Sequence, residues 1–295
     1  MSFDFQTSGV QETRVNTPTE AHASTALHRR PPSHSLMPWV WEPRRLRTAA
    51  RHCMRRGSSP GPDGVTWAQY RVGLGERLSD LSVRLRTGAW QPGEVRYVPI
   101  QTFSGTPFDI AVSPVEDRIV HRAMGNAFQP ILDAMVLRDF VAGGRPGRSR
   151  LTAVRQAARH LADGFSWVTD VDVRSAASGR TVDEVIDWTA QWVTDGSYLR
   201  LLRRALDPLP SAMHPGAALL PQMLHLMLVP IDETVRQLRV VRFYDNYCVF
   251  SRTQTDAQDA YDLLVAGLAA RRLAPSPAKS GLRDAPNPED LFLSG

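Results

Sequence analysis

Two aspartates offer the most direct chemistry in this sequence. Asp172 lies near the end of the β-rich run Trp167–Val173, and Asp245 sits in the turn of a later hairpin candidate with Asn246 beside it. Carboxylates presented from neighbouring antiparallel strands can hold two divalent cations about 4 Å apart. Such a pair activates an attacking hydroxyl and stabilises a leaving pyrophosphate. Mg²⁺ suits this role, with Mn²⁺ as a substitute. It takes one or two carboxylates and completes its shell with phosphate oxygens and water. An Asp at a strand end or hairpin turn also serves simply as a turn former. A third residue stands out by composition. Of 35 basic residues, Lys279 is the single lysine. GC-rich coding explains arginine elsewhere, but an ammonium can surrender a proton where a guanidinium does not.

The elements that must position these groups follow from residue spacing. Arg44–Arg56 is expected as a basic helix, with Leu46, Ala49, Ala50 and Cys53 on one side. A dense run of turn residues, Gly57–Gly64, ends it. Trp67–Gly88 has helical spacing throughout, Val95–Ile100 reads as a strand leading to a turn at Ser104-Gly105, and Ile119–Met135 reads as a helix. Beyond the loop Gly143–Ser149, helices are expected over Leu151–Leu161, Val182–Val193, Leu219–Leu228 and Asp256–Arg272. Val240–Phe243 and Tyr247–Ser251 flank Tyr244-Asp245-Asn246 as a hairpin. Helices and strands mix without a βαβ rhythm, which favours an α+β domain.

At 295 residues and 42% hydrophobic content, a wholly disordered chain is excluded. Two cysteines, Cys53 and Cys248, rule out a disulfide framework and sit in no metal-ligand spacing, so a reducing compartment is the default. No apolar run reaches the roughly 20 residues of a membrane span. The first 26 residues lack the hydrophobic core of a secretory signal. Residues 1–36, rich in Ser, Thr and Pro, are expected as a disordered leader. A net charge of +5 permits a polyanionic partner without requiring one.

The order of segments resembles the reverse transcriptase domain of bacterial group II intron-encoded proteins. Gly61-Pro62-Asp63-Gly64-Val65-Thr66 looks like that family's Gly-x-Asp-Gly-Val-Thr opening, and Leu85–Pro92 like its Leu-x-x-Gly-x-Tyr-x-Pro. Asp117-Arg118-Ile119-Val120 matches a fingers segment, and Gly144–Ser149 is similar to the Arg-Pro-Gly-Arg-Ser loop. Leu226–Glu233 resembles the helix ending Pro-Leu-Asp-Glu. Arg242–Tyr247 takes the place of Arg-Tyr-Ala-Asp-Asp-Phe, Ser276–Ser280 that of the Lys-Thr segment, and Leu291-Phe292-Leu293 that of the palm's end. The match runs over about residues 40–295, in family order.

The resemblance implies a right-hand polymerase fold, with a small antiparallel palm sheet packed on helices. Residues 37–165 would be fingers-like and 166–295 palm-like, without a thumb. By the same resemblance Asp172, Asp245 and the Val173 carbonyl would hold Mg²⁺, Lys279 would protonate the leaving pyrophosphate, and Asn246 would complete the catalytic set. Arg118, Ala177 and Gly216 would lie on the nucleotide side. Arg145, Arg148 and Arg150 would line a nucleic-acid groove, each being equally readable as part of a solvated basic face.

The departures from the family cluster at the chemistry. Asn246 stands where a second Asp is usual. Ala176 and Ala177 stand where bulky aromatics close under the sugar, so discrimination against ribonucleotides should be poor. His214-Pro215-Gly216 replaces Pro-Gln-Gly, keeping the glycine and losing the amide. No cation occurs from Tyr97 to Asp117, where the family grips the triphosphate, and losing such clamps costs several kcal/mol of transition-state stabilisation. The expected function is RNA-directed DNA polymerisation from dNTPs. The alternative is an inactive protein of the same fold that binds RNA as an interaction or defence subunit. Expected partners are an RNA template and primer or a non-coding RNA, with a thumb supplied by a partner protein or a second copy. The expected location is the bacterial cytoplasm.

Overall fold

A computed structural model of the chain describes residues 35–101, 107–176 and 178–292. The basic helix of the sequence forms as α2 (Pro43–Arg56), preceded by a short α1 (Met37–Trp41). Leu36 is already buried, and its N–H donates to the Asp195 carboxylate at 2.7 Å. Ordered packing therefore starts before residue 37; residues 1–34 of the expected leader lie outside the described residues. The single helix expected over Trp67–Gly88 is two, α3 (Trp67–Arg71) and α4 (Leu74–Thr87). Gly73 adopts φ +66° at the start of α4, a conformation that breaks the helix and that glycine takes without strain.

A two-stranded sheet follows, β1 (Arg96–Gln101) with β2 (Pro107–Val112), then the long α5 (Val115–Ile131), continued by a π-helical turn over Leu132–Val136. The expected turn at Ser104-Gly105 lies outside the described residues. Next come α6 (Arg150–Ala162), β3 (Trp167–Asp172), α7 (Val182–Ala190) and α8 (Gly196–Leu206). α8 lies where the sequence reading places no element, although Tyr198, Leu201, Leu202, Ala205 and Leu206 fall at helical spacing and form its buried face. The apolar helix α9 spans Leu220–Thr234 and runs past Pro230. β4 (Arg239–Phe243) and β5 (Asn246–Ser251) form the hairpin; α10 (Gln254–Ala269) and β6 (Gly281–Asp284) close the set.

β4, β5, β3 and β6 form one four-stranded antiparallel sheet in that order. Both its faces are covered. Val168, Val241, Cys248 and Phe250 pack against α6 and Leu291-Phe292. On the other face Val171, Val240, Tyr247 and Val249 join the main core with α9 and α10. Because side chains alternate along a strand, the register sets which residues share a face. The architecture is mixed α+β, with small antiparallel sheets packed on helices. No helix among the described residues is long and apolar enough to cross a membrane.

Candidate functional site

Asp172 is the last residue of β3 and pairs in register with Asn246 of β5. The next N–H, that of Val173, donates to the Asp245 carbonyl at 3.1 Å, which ties the strand end to the hairpin turn. The turn itself is Tyr244-Asp245, one residue shorter than expected, because Asn246 already belongs to β5. Tyr244 sits at φ +55°, a region that non-glycine residues seldom occupy. Two features hold it there. The Arg242 guanidinium donates to the Tyr244 carbonyl at 2.8 Å. Gly143 passes so close that a Cβ would stand 2.3 Å from the Tyr244 nitrogen.

The segment before β6 clasps the other side of Asp172. Ser276 N–H donates to the Asp172 carbonyl at 2.7 Å, and Asp172 N–H donates to Ser280 Oγ at 3.1 Å. This brings Lys279 Nζ to 3.6 Å from Asp172 Oδ2. Burial pushes the Asp172 carboxyl above the usual carboxylate range, and Lys279 opposes that rise. Burial also pushes Asp245 up; the Asp172 charge adds to it, and Lys279 and Arg242 work against it. Thus Asp172, Val173, Asp245 and Lys279 come together at the end of β3, and the Asp172 charge bears on Asp245.

Asn246 belongs to this cluster by position but not by orientation. It is buried, its amide donates to Asp170 Oδ1 at 3.2 Å, and its oxygen accepts from the Cys248 thiol at 3.5 Å. Asp170 is held in turn by Arg283 at 2.8 Å. Asp170 and Arg283 escape a reading of the sequence. The i, i+2 relation of Asp170 to Asp172 signals a shared face, but nothing local signals Arg283.

The donor set fits a hard divalent cation. Asp172 and Asp245 offer carboxylate oxygens and Val173 offers a carbonyl, and the mutual repulsion of the two acids is relieved by positive charge. Among the described residues no group of three or more His, Cys, Asp and Glu is arranged to hold a metal. A cation here would complete its shell with water or phosphate, as Mg²⁺ commonly does.

A pH-linked prediction arises here. A carboxyl raised in the folded state weakens the fold fully above its folded pKa, and that cost is relieved as pH falls from the folded pKa to the unfolded one. In metal-free buffer at pH 7, Asp245→Asn should therefore raise the unfolding midpoint. The gain should vanish in acid, when the wild-type carboxyl is protonated in both folded and unfolded states. Mg²⁺ should raise the midpoint of the wild type and not of the variant. Thermal denaturation across pH with and without Mg²⁺ checks all three.

The remaining expected site residues have the following surroundings. Arg145 donates to Asp133 at 2.8 Å and to the Arg138 carbonyl at 3.1 Å. Arg148 bonds the carbonyls of Asp139 and Val141, and Arg150 those of Phe292 and Glu289. All three brace the chain itself. Arg118 donates to the Ser113 carbonyl at 2.8 Å, to the Ser59 carbonyl at 2.7 Å and to Ser58 Oγ. Gly216 keeps φ +93°, and a Cβ there would stand 2.4 Å from the Ala111 oxygen, so its close approach is to β2. Ala176 is buried in the core, and Ala177 lies outside the described residues.

No family model matches the chain. It is similar to Protein YkfC of Escherichia coli (strain K12), with 27% identity over 225 residues, covering 68% of this chain and 57% of that protein. The chain thus spans less than two thirds of the length of the curated relative it matches.

Proposed function

We propose that this chain is a reverse transcriptase-like domain of the right-hand polymerase type. It would direct nucleotidyl transfer from dNTPs to a primer 3′-hydroxyl on an RNA template. One observation carries this reading: Asp172 and Asp245, 73 residues apart in the chain (245 − 172), share one site with Lys279 in ion-pairing reach of Asp172. Asp172, Asp245 and the Val173 carbonyl would hold Mg²⁺ or Mn²⁺. When bound, that group supplies Lewis-acid activation of the attacking hydroxyl and charge neutralisation at the phosphates. The chain's own residues do the rest. The β3 end and the Arg242-braced turn would fix the carboxylates, and Lys279 Nζ, 3.6 Å from Asp172 Oδ2, would be the donor available to a departing pyrophosphate.

Nucleotide incorporation by the purified chain, with and without co-expressed RNA, with deoxy- and ribonucleotides in Mg²⁺ and Mn²⁺, tests the reading. Absence of incorporation under every condition sinks it. A second reading draws on the inward-turned Asn246, which leaves the hairpin a single carboxylate at the site. On that reading the domain binds RNA as an interaction subunit and does not copy it. Salt-sensitive RNA retention on filters without synthesis is its signature.

A further inference from the structure

One step back along β3, the sheet repeats the layout of the site. Asp170 precedes Asp172 by two residues, so both side chains leave the same face of the sheet. Asp172 stands between the Asp245 turn and Lys279, which lies in the segment before β6. Asp170 stands between the same two arms: Oδ1 accepts from the Asn246 amide at 3.2 Å, and Oδ2 from Arg283 Nε at 2.8 Å. Both contacts run diagonally across the ladders, since Asp170 pairs directly with Cys248 and Gly281. Asp170 is 3% exposed, so this carboxylate depends on those partners. The two arms are anchored unequally. β5 places Tyr247 and Val249 in one apolar core and Cys248 and Phe250 in the other. β6 is a four-residue edge strand. Among the described residues it gives no side chain to either core, and Arg283 makes its one side-chain hydrogen bond. Lys279 precedes this weakly held strand by two residues.

We infer that Asp170 and Arg283 are positioning residues for Lys279: their ion pair fastens β6 to β3 and so holds the ammonium beside Asp172. This role presupposes the function proposed above for Asp172, Asp245 and Lys279. A site that keeps a cation and a proton donor in fixed relation needs hydrogen-bonded support behind the groups that do so. Asn246, on the other Asp170 oxygen, fixes the carboxylate from the β5 side. Arg283 balances the Asp170 charge, so Asp170 serves the site as an anchor and not as a further cation ligand. The segment that carries Lys279 also clasps the Asp172 backbone through Ser276 and Ser280, so loosening β6 disturbs the acid as well as the amine.

The chain's single lysine makes the test direct. With lysine labelled by ¹³C at Cε, the full chain gives one lysine side-chain signal, that of Lys279. Asp172→Ala, which removes the partner, defines where the signal falls when the contact is lost. Arg283→Met should move the signal most of the way to that position. Paramagnetic Mn²⁺ should broaden the wild-type signal, and Arg283→Met should need roughly tenfold more Mn²⁺ for equal broadening, the usual effect of losing support behind a metal ligand. Arg283→Met also strands the buried Asp170 carboxylate, so the double variant Asp170→Asn with Arg283→Met is measured beside it. Removing that charge should restore part of the stability in urea while the lysine signal stays displaced. A wild-type signal and Mn²⁺ response in a folded Arg283→Met or double variant overturn the proposal. So does a double variant in which signal and stability recover together, the mark of a merely structural pair. If Mn²⁺ leaves the wild-type signal sharp, the metal site proposed above fails, and the metal-free signal positions still decide whether Arg283 places Lys279.

Discussion

Asp172→Ala is expected to abolish metal-dependent nucleotide incorporation, by roughly 10³-fold or more, the effect of several kcal/mol of lost transition-state stabilisation. The residue touches the proposed reacting centre through its carboxylate alone. Its backbone carries the structural work, accepting from Ser276 and donating to Ser280, and alanine retains both bonds. Lys279, half-exposed at 46%, loses only a screened partner. Because burial already disfavours the Asp172 charge at neutral pH, removing it should not lower the unfolding midpoint. The signature is therefore lost incorporation on an intact fold, read by primer extension beside thermal denaturation. If incorporation persists in Asp172→Ala, synthesis comes from another site or a contaminant, and the assignment of the β3 end fails.

The largest effect on stability is expected at the other end of Arg242. This guanidinium is wholly buried and donates to Asp232 of α9 at 2.7 Å, while Tyr247 O–H donates to the second Asp232 oxygen, also at 2.7 Å. Asp232→Ala strands a buried guanidinium and leaves the Tyr247 hydroxyl without its acceptor. About 3–5 kcal/mol should be lost, the usual result of breaking a buried pair from one side. Against a typical total of about 5–15 kcal/mol, that is a large fraction of the fold's stability. Urea denaturation measures it. The double variant Asp232→Leu with Arg242→Met should recover part of the loss, since apolar replacement removes both desolvated charges. A loss under about 1 kcal/mol in Asp232→Ala would show that solvent reaches Arg242. The double variant should remain poor in primer extension even where it is stable, because Arg242 also braces the strained turn that presents Asp245.

Much of the frame was legible from local pattern. Helical spacing located α2, α6 and α10, and β-rich runs located β3 and the hairpin, because periodicity reports which face each element buries. Asp172 at a strand end and Asp245 in a turn followed from the same reading. Local pattern failed where the deciding interaction is distant. β6 exists only because it lies along β3, whereas α8 carries a regular apolar stripe that spacing alone could have shown. Gly73 splits what spacing alone joins.

Residue types and their order were enough to nominate two acids, a lone lysine and the strands that carry them. Only the packed sheet decided that the Asp245 turn is tied to the strand end that carries Asp172, that Asn246 turns inward to Asp170, and that Arg145, Arg148 and Arg150 bind the chain itself. The reason is physical. A side chain's type is written in the sequence, but its direction follows from strand register, and its ionisation from burial and neighbours that fold in from far along the chain.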